Sequence, residues 1–194
     1  MKIGILALQG GFEAHAGMLA RLNQTPFLVK KQKDMEGIHG LILPGGESST
    51  NIKLMDESLQ KEIAAFYSKG YPFLATCAGL ILLAKNITNS EQFRFGFLDI
   101  EVKRNAYGNQ RESFSEDIFI EPLGKPDFHC VFIRAPKIEK TSEKVAVLAQ
   151  IKDNIIFVKE NNILAASFHP ELTQDTRIHQ MFLNMCEEKK MYTL

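Results

Sequence analysis

This 194-residue chain predicts an α/β fold built on a mostly parallel sheet, and three observations predict it. Short apolar runs alternate with longer segments of helical period through the first half, which is the pattern of a sheet covered by helices. Those runs stop at turn signals: Gln9-Gly10-Gly11, Pro44-Gly45-Gly46 and Gly70. Beyond residue 84 the apolar runs follow one another with turns and loops between them, which predicts antiparallel additions to the sheet.

Residues 3–8 are a nearly continuous apolar run and form the first strand. Residues 12–22 place Met18, Leu19 and Leu22 on one helical face, completing a βα unit. Residues 26–29 supply a second strand and 40–43 a third, stopped by Pro44. Helices follow over 50–55 and 57–69, the latter burying Leu59, Ile63 and Phe66 before Gly70 ends it. Residues 71–76 are the fourth strand, and an apolar helix is expected over 80–84. Further strands are predicted over 98–103, 118–121, 131–133, 145–151, 155–159 and 164–167, with exposed loops over 90–92 and 105–116. A helix over 175–189 closes the chain, its Ile178, Met181, Phe182 and Met185 covering one face of the sheet. These methionines read as gap-filling core residues rather than a cofactor box.

Composition narrows the function. The chain is 45% hydrophobic and 24% charged, the make-up of one globular domain over 1–194. Its 23 basic residues equal its 23 acidic ones, so no net charge exists to grip a phosphate backbone, and nucleic acid is not expected. The longest apolar stretch, 78–84, falls far short of the roughly 20 residues that cross a membrane. The N-terminus carries one lysine and no small-residue cleavage site, so it reads as a strand and not a signal peptide. Three widely spaced cysteines, Cys77, Cys130 and Cys186, suggest neither a disulfide framework nor a zinc motif. A soluble, cytoplasmic protein is the expectation.

Three segments carry chemistry. Ala75-Thr76-Cys77-Ala78-Gly79 falls where a buried strand should stop and a helix begin. A nucleophile on such a turn is pushed out of the sheet, and small neighbours let substrate approach. The free amides of the helix start should also draw the thiol below its usual value of about 8.5. A free cysteine is equally a small buried packing residue, and this segment alone does not separate the two. Ser167-Phe168-His169-Pro170-Glu171 lies at another strand end. A cysteine nucleophile needs an imidazole to handle protons, and the imidazole needs a carboxylate to fix its orientation. On extended backbone, residues two apart point the same way, so His169 and Glu171 can serve together. Taken alone this is a structural histidine before an ordinary turn; taken with Cys77 it is half of a triad. Pro44-Gly45-Gly46-Glu47-Ser48-Ser49 lies at a third strand end before a helix, where backbone N–H groups can approach an anion. It is no phosphate loop, lacking Gly-Lys-Ser/Thr, and a plain turn with a serine cap is its other reading. Strand carboxyl ends are where parallel α/β sheets gather their ligands. The remaining histidines, His15, His39, His129 and His179, have no second ligand at metal spacing and read as ordinary core or surface residues.

Five motifs in order carry a family resemblance: residues 6–10 (Leu-Ala-Leu-Gln-Gly), 43–48 (Leu-Pro-Gly-Gly-Glu-Ser), 76–80 (Thr-Cys-Ala-Gly-Leu), 132–136 (Phe-Ile-Arg-Ala-Pro) and 167–172 (Ser-Phe-His-Pro-Glu-Leu). With them the chain resembles, over essentially its whole length, the glutaminase subunits of pyridoxal 5′-phosphate synthase within the class I glutamine amidotransferases. The resemblance implies a flavodoxin-like sheet and a Cys77-His169-Glu171 triad. It implies glutamine held by Gly46, Glu47 and Ser48, by Arg104, and by Ile133 and Arg134. It further implies an oxyanion hole at the backbone of Gly46 and Ala78. Arg104 and Arg134 enter on the resemblance alone, since most arginines are surface charge. Two positions depart from the family pattern. Ala75 stands where glycine is usual, and Ala14, not glutamate, directly precedes His15, with Glu13 one place earlier.

The implied reaction is hydrolysis of L-glutamine to L-glutamate and ammonia through a γ-glutamyl thioester on Cys77, with no metal or organic cofactor. The implied partner is the (β/α)₈-barrel synthase subunit, which consumes the ammonia and switches the glutaminase on through a loop near Gln9, Gly10 and Gly46. Two rivals stand beside this reading: a self-sufficient γ-glutamyl peptide hydrolase of the same architecture, and a non-catalytic module in which Cys77 is a redox-sensing thiol.

Overall fold

The computed structural model describes residues 1–105 and 113–192. The first half builds β1 (Lys2–Leu6), α1 (Phe12–Arg21), β2 (Thr25–Val29), β3 (Gly40–Leu43), α2 (Ser48–Leu54), α3 (Glu57–Ser68), β4 (Phe73–Thr76) and α4 (Ala78–Leu83). The second half adds β5 (Ala84–Ile87), β6 (Leu98–Lys103), β7 (Ser113–Ile118), β8 (Phe128–Ile133), β9 (Lys137–Thr141), β10 (Ala146–Ile151), β11 (Asn154–Glu160), β12 (Ile163–Ala166) and α5 (Arg177–Met191). One sheet of the described residues runs in the order β2-β1-β3-β4-β12-β11-β9-β6-β5, with β10 paired to β11.

From β2 to β12 every pairing is parallel, in the order of a flavodoxin-like sheet. Beyond β12 the sheet turns antiparallel through β11, β9 and β6, and β5 returns parallel to β6. β7 and β8 form a separate antiparallel pair. The expected fold class, a mostly parallel sheet with antiparallel additions, is the one observed.

Strand alternation divides the core in two. Leu6, Leu41, Leu43, Phe73 and Ala75 point toward α3 and α4, where they meet Leu59, Ile63, Phe66 and Leu80. Ile3, Ile5, Ile42 and Leu74 point to the other face, covered by Leu19 of α1 and Ile178, Phe182 and Leu183 of α5. Met181 and Met185 pack against that second core, and Cys130 and Cys186 are buried within it. The start of α3 is held by Asp56, whose carboxylate accepts the Leu59 N–H at 2.8 Å, the ordinary way an aspartate satisfies a helix's first free amides.

Some boundaries differ from expectation. The helix expected over 80–84 starts at Ala78, and Ala84 already opens β5. Residues 118–121 are not a strand. Ile118 ends β7, and Pro122, which lacks a donor, falls in a short 3₁₀ turn, Glu121–Leu123. β9 was not anticipated at all. Within the loop expected over 105–116, residues 106–112 lie outside the described residues and 113–116 belong to β7. Among the described residues no helix is long and apolar enough to cross a membrane.

Candidate active site

The parallel pairing of β4 with β12 sets Ala165 beside Ala75 and Ala166 beside Thr76, so the two chemistry-bearing strand ends leave the sheet side by side. The Cys77 N–H donates to the Ala166 carbonyl at 2.8 Å, carrying that pairing to the turn itself. Cys77 then adopts φ 47° and ψ −102° before α4 begins. This left-handed backbone is strained for any residue with a Cβ and is typical of functional turns. Its Sγ lies 3.9 Å from the Ile133 carbonyl.

His169 follows β12, its N–H donating to the Val131 carbonyl at 2.8 Å. Its Nδ1 stands 2.7 Å from Glu171 Oε1. Burial opposes a charged imidazole here, yet the hydrogen bonds to Cys77 and Glu171, with their negative charge, push His169 up to about 10. Burial also opposes the Glu171 carboxylate, but neighbouring His15 and the bond from His169 hold it below the usual carboxylate range. By contrast, burial drives Cys130 up to about 12 and Cys186 higher, leaving both as inert packing thiols.

The glycine loop after β3 closes on the same point. Gly45 is tied by its carbonyl to the Gly11 N–H at 3.0 Å and by its own N–H to Thr76 Oγ1 at 3.1 Å. A Cβ on Gly45 would stand 2.3 Å from His169 Cε1, so only glycine lets the loop approach the imidazole this closely. Gly46 takes φ 146°, and the next amide, Glu47 N–H, donates to Gln9 Oε1 at 2.7 Å. Ala78 is the first residue of α4, where an amide has no carbonyl one turn earlier to bond.

One pocket gathers Cys77 and His169 with Gly46, Glu47, Ser48, Arg104, Ile133 and Arg134; Ile81 and Asn105 complete its lining. Glu171 and Ala78 lie beneath it, buried. The residues named by sequence therefore converge. Arg104 donates to Glu47 Oε1 at 2.9 Å and to Gln92 Oε1, which also faces Ser48 Oγ. An arginine and a glutamate held together in one pocket can divide on binding a zwitterion, one taking its carboxylate and the other its ammonium. Arg134 carries φ 45° and Asn105 φ 48°, so with Cys77 three non-glycine residues of the lining have left-handed backbone.

Several neighbours were not singled out by sequence. Gln9 and Thr76 lie within the motifs at 6–10 and 76–80, where nothing local marks what their side chains bond. Gln92 lay in a loop with nothing to mark it. His15 and His179, read as ordinary helix residues, are wholly buried beside Glu171. His39 and His129 serve locally, at Lys2 and Asp117. Ala75 packs its methyl into the α3–α4 core. Ala14 is half-buried and Glu13 exposed on α1.

Residues 5–188 match the SNO glutamine amidotransferase family. The chain is similar to the pyridoxal 5′-phosphate synthase subunit PdxT of Dictyoglomus turgidum, 50% identical over 97% of this chain and 100% of the relative. It is similar to that of Thermosipho africanus as well, at 44% over the same shares. A solved glutamine amidotransferase structure superposes with a TM-score of 0.90 at 45% identity, covering 95% of this chain and 98% of its own. The PurLQS structure from Thermotoga maritima shares the fold, with a TM-score of 0.67 at 16% identity over 94% of this chain and 97% of its own.

Proposed function

The chain belongs to the SNO glutamine amidotransferase family, and on that premise we propose that it hydrolyses L-glutamine through Cys77, His169 and Glu171 to supply ammonia for pyridoxal 5′-phosphate synthesis. The observation that carries this reading is the meeting, in one pocket, of a cysteine on a left-handed turn with an imidazole backed at 2.7 Å by a buried carboxylate.

The thiolate of Cys77 attacks the side-chain amide carbon of glutamine. Negative charge moves to the carbonyl oxygen, which the backbone amides of Gly46 and Ala78 receive; one such donor typically contributes about 10²–10³ in rate. His169, protonated at neutral pH, gives its proton to the departing nitrogen, and the C–N bond breaks to leave ammonia and a γ-glutamyl thioester. Neutral His169 then takes a proton from water, whose oxygen attacks the thioester carbon, and glutamate leaves as the thiolate re-forms. Glu171 keeps Nδ1 protonated and the ring aimed. Arg104 binds the α-carboxylate of glutamine and Glu47 its α-ammonium, with Ser48, Ile133 and Arg134 closing the pocket. Amides lacking those charges leave Arg104 and Glu47 unpaired, and the site discriminates against them.

The ammonia passes to a (β/α)₈-barrel synthase subunit, whose docking acts on the loop around Gln9, Gly10 and Gly46. The bonds from Gly11 to Gly45 and from Glu47 to Gln9 support this, because they couple the start of α1 to the glycine loop.

The test is glutamate release by the purified chain with and without the synthase subunit. Stimulated release that disappears in Cys77→Ala and His169→Asn is expected. Normal stimulated release in either variant overturns the triad, and full activity without the partner favours a self-sufficient hydrolase.

A further inference from the structure

Glu171 is a buried carboxylate with only half of its needs met. Oε1 takes the His169 bond, whereas Oε2 is fully buried and has no hydrogen bond of ordinary length among the described residues. Its nearest partner is His15 Nε2 at 3.5 Å. The same nitrogen lies 3.2 Å from Thr76 Oγ1, the atom that accepts the Gly45 N–H. On the other side of the ring, His15 Nδ1 is 2.9 Å from His179 Nε2. Two imidazoles, both with no solvent exposure, thus stand end to end behind the catalytic carboxylate.

Their protons can be assigned from burial and bonding together. Burial lowers His15 below its ordinary value, with Glu171 opposing and His169 reinforcing the shift. Burial likewise lowers His179 to about 3, aided by His15 and opposed by Glu171. Each ring is therefore neutral and carries one N–H. If His15 held its proton on Nδ1, its bare Nε2 would face a carboxylate oxygen, and His179 would be left with a buried Nδ1–H that has no acceptor among the described residues. With both protons on Nε2, His179 donates to His15 Nδ1, and His15 Nε2–H points between Glu171 Oε2 and Thr76 Oγ1. The His179 Nδ1 lone pair and the Thr76 hydroxyl proton are then unpaired among the described residues, but the charged Glu171 Oε2 gains a donor in place of a repelling lone pair. An orphaned donor beside a repelled carboxylate is the costlier arrangement.

We propose that His15, locked in one tautomer by His179, is a positioning residue whose Nε2–H holds Glu171 Oε2 and, through Thr76, the Gly45 amide. One imidazole on α1 would then set both the orientation of the triad carboxylate and the seat of the glycine loop. The inference rests on the glutaminase reading above for its kinetic effect but not for its proton positions.

Two measurements test it. In the full chain labelled with ¹⁵N-histidine, His15 and His179 are expected to be neutral near pH 7, both protonated at Nε2; a proton on His15 Nδ1 overturns the proposal. In the complex with the synthase subunit, His15→Leu is expected to lower kcat by about tenfold or more with KM for glutamine nearly unchanged, in the range seen when groups that orient catalytic ligands are lost. His15→Gln, which returns an N–H near the Nε2 position, is expected to recover most of that loss. Should His15→Leu fail to fold, His15→Asn, whose amide reaches only the Nδ1 position, replaces it in the comparison. Wild-type kcat in the variant lacking the N–H, or an equal loss in His15→Gln, overturns the proposal. If the wild-type complex releases no glutamate, the function proposed above is what fails, and the ¹⁵N spectra still decide the tautomer.

Discussion

Gly45→Ala tests the site with a single methyl group. The backbone of Gly45 is not in the left-handed region, so alanine carries no conformational penalty there, unlike at Gly46 with its φ of 146°. The whole effect comes from contact. The new Cβ would stand 2.3 Å from His169 Cε1, 2.8 Å from Nδ1 and 3.3 Å from Cys77 Cβ, against about 3.4 Å for ordinary contact. Something must therefore move by about 1 Å. If the imidazole moves, the 2.7 Å bond to Glu171 stretches and the ring leaves Cys77; a displacement of about 1 Å typically costs on the order of 10²-fold in rate. If the loop moves, the bonds from Gly11 to Gly45 and from Gly45 to Thr76 open, and stability falls by about 1 kcal/mol for each. Glutamate release by the complex, measured beside the urea midpoint, separates the two. A kcat within about threefold of wild type together with an unchanged urea midpoint would refute the claimed contact, since each route to relief lowers one of the two.

Other outcomes follow from the same geometry. Glu171→Gln removes the charged acceptor of His169 Nδ1 and is expected to lower kcat by about 10²–10⁴, with an imidazole titration that drops from its raised position toward 6.5. Arg104→Met leaves Glu47 unpaired and is expected to raise KM for glutamine by about 10- to 100-fold, the worth of a charged hydrogen bond, with a smaller effect on kcat in steady-state assays. Stability should respond to pH in two windows of opposite sign. His15 and His179 are lowered by folding, so below their ordinary 6.5 the unfolded chain binds more protons and stability falls as pH falls, by about 2 kcal/mol near pH 5 for His179 and in the same direction for His15. His169 is raised, so its contribution is fully present below 6.5 and is lost as pH climbs through about 10. Urea midpoints should peak near pH 6.5, with the acid limb flattened in His179→Leu and the alkaline limb flattened in His169→Asn; a single monotonic profile would contradict the assignment.

How legible the fold was depended on what each strand buries. β1, β3, β4 and β12 are enclosed by helices on both faces, so they read as unbroken apolar runs ending at Gln9, Pro44, Cys77 and Ser167. β9 has little sequence signal, because Ile138 is its one buried residue and lysines stand around it. β7 exposes Ser113 through Asp117 and gains its structure from backbone pairing with β8, which leaves no alternation in side chains to detect. β5 follows α4 with no turn residue between them, so a helix pattern runs straight into a strand.

The site divides along similar lines. Cys77, His169 and the glycine loop were legible because strand carboxyl ends concentrate unusual residues, and parallel pairing of β3, β4 and β12 brings those ends together. Arg104 and Arg134 had no local signature; only the order of five motifs reached them. His15 and His179 carried a signal that could have been weighed. His15 precedes Met18 and Leu19 by three and four residues, and His179 precedes Phe182 and Leu183 by the same intervals, so each sits on the buried stripe of its helix. Both helices cover the same face of the sheet. A buried imidazole must find a partner, and two of them on stripes that share one core are each the obvious candidate for the other. Spacing along the chain brings the argument that far; that Glu171 and Thr76 stand at the end of the pair depends on β4 and β12 lying side by side, a tertiary fact that helical period does not encode.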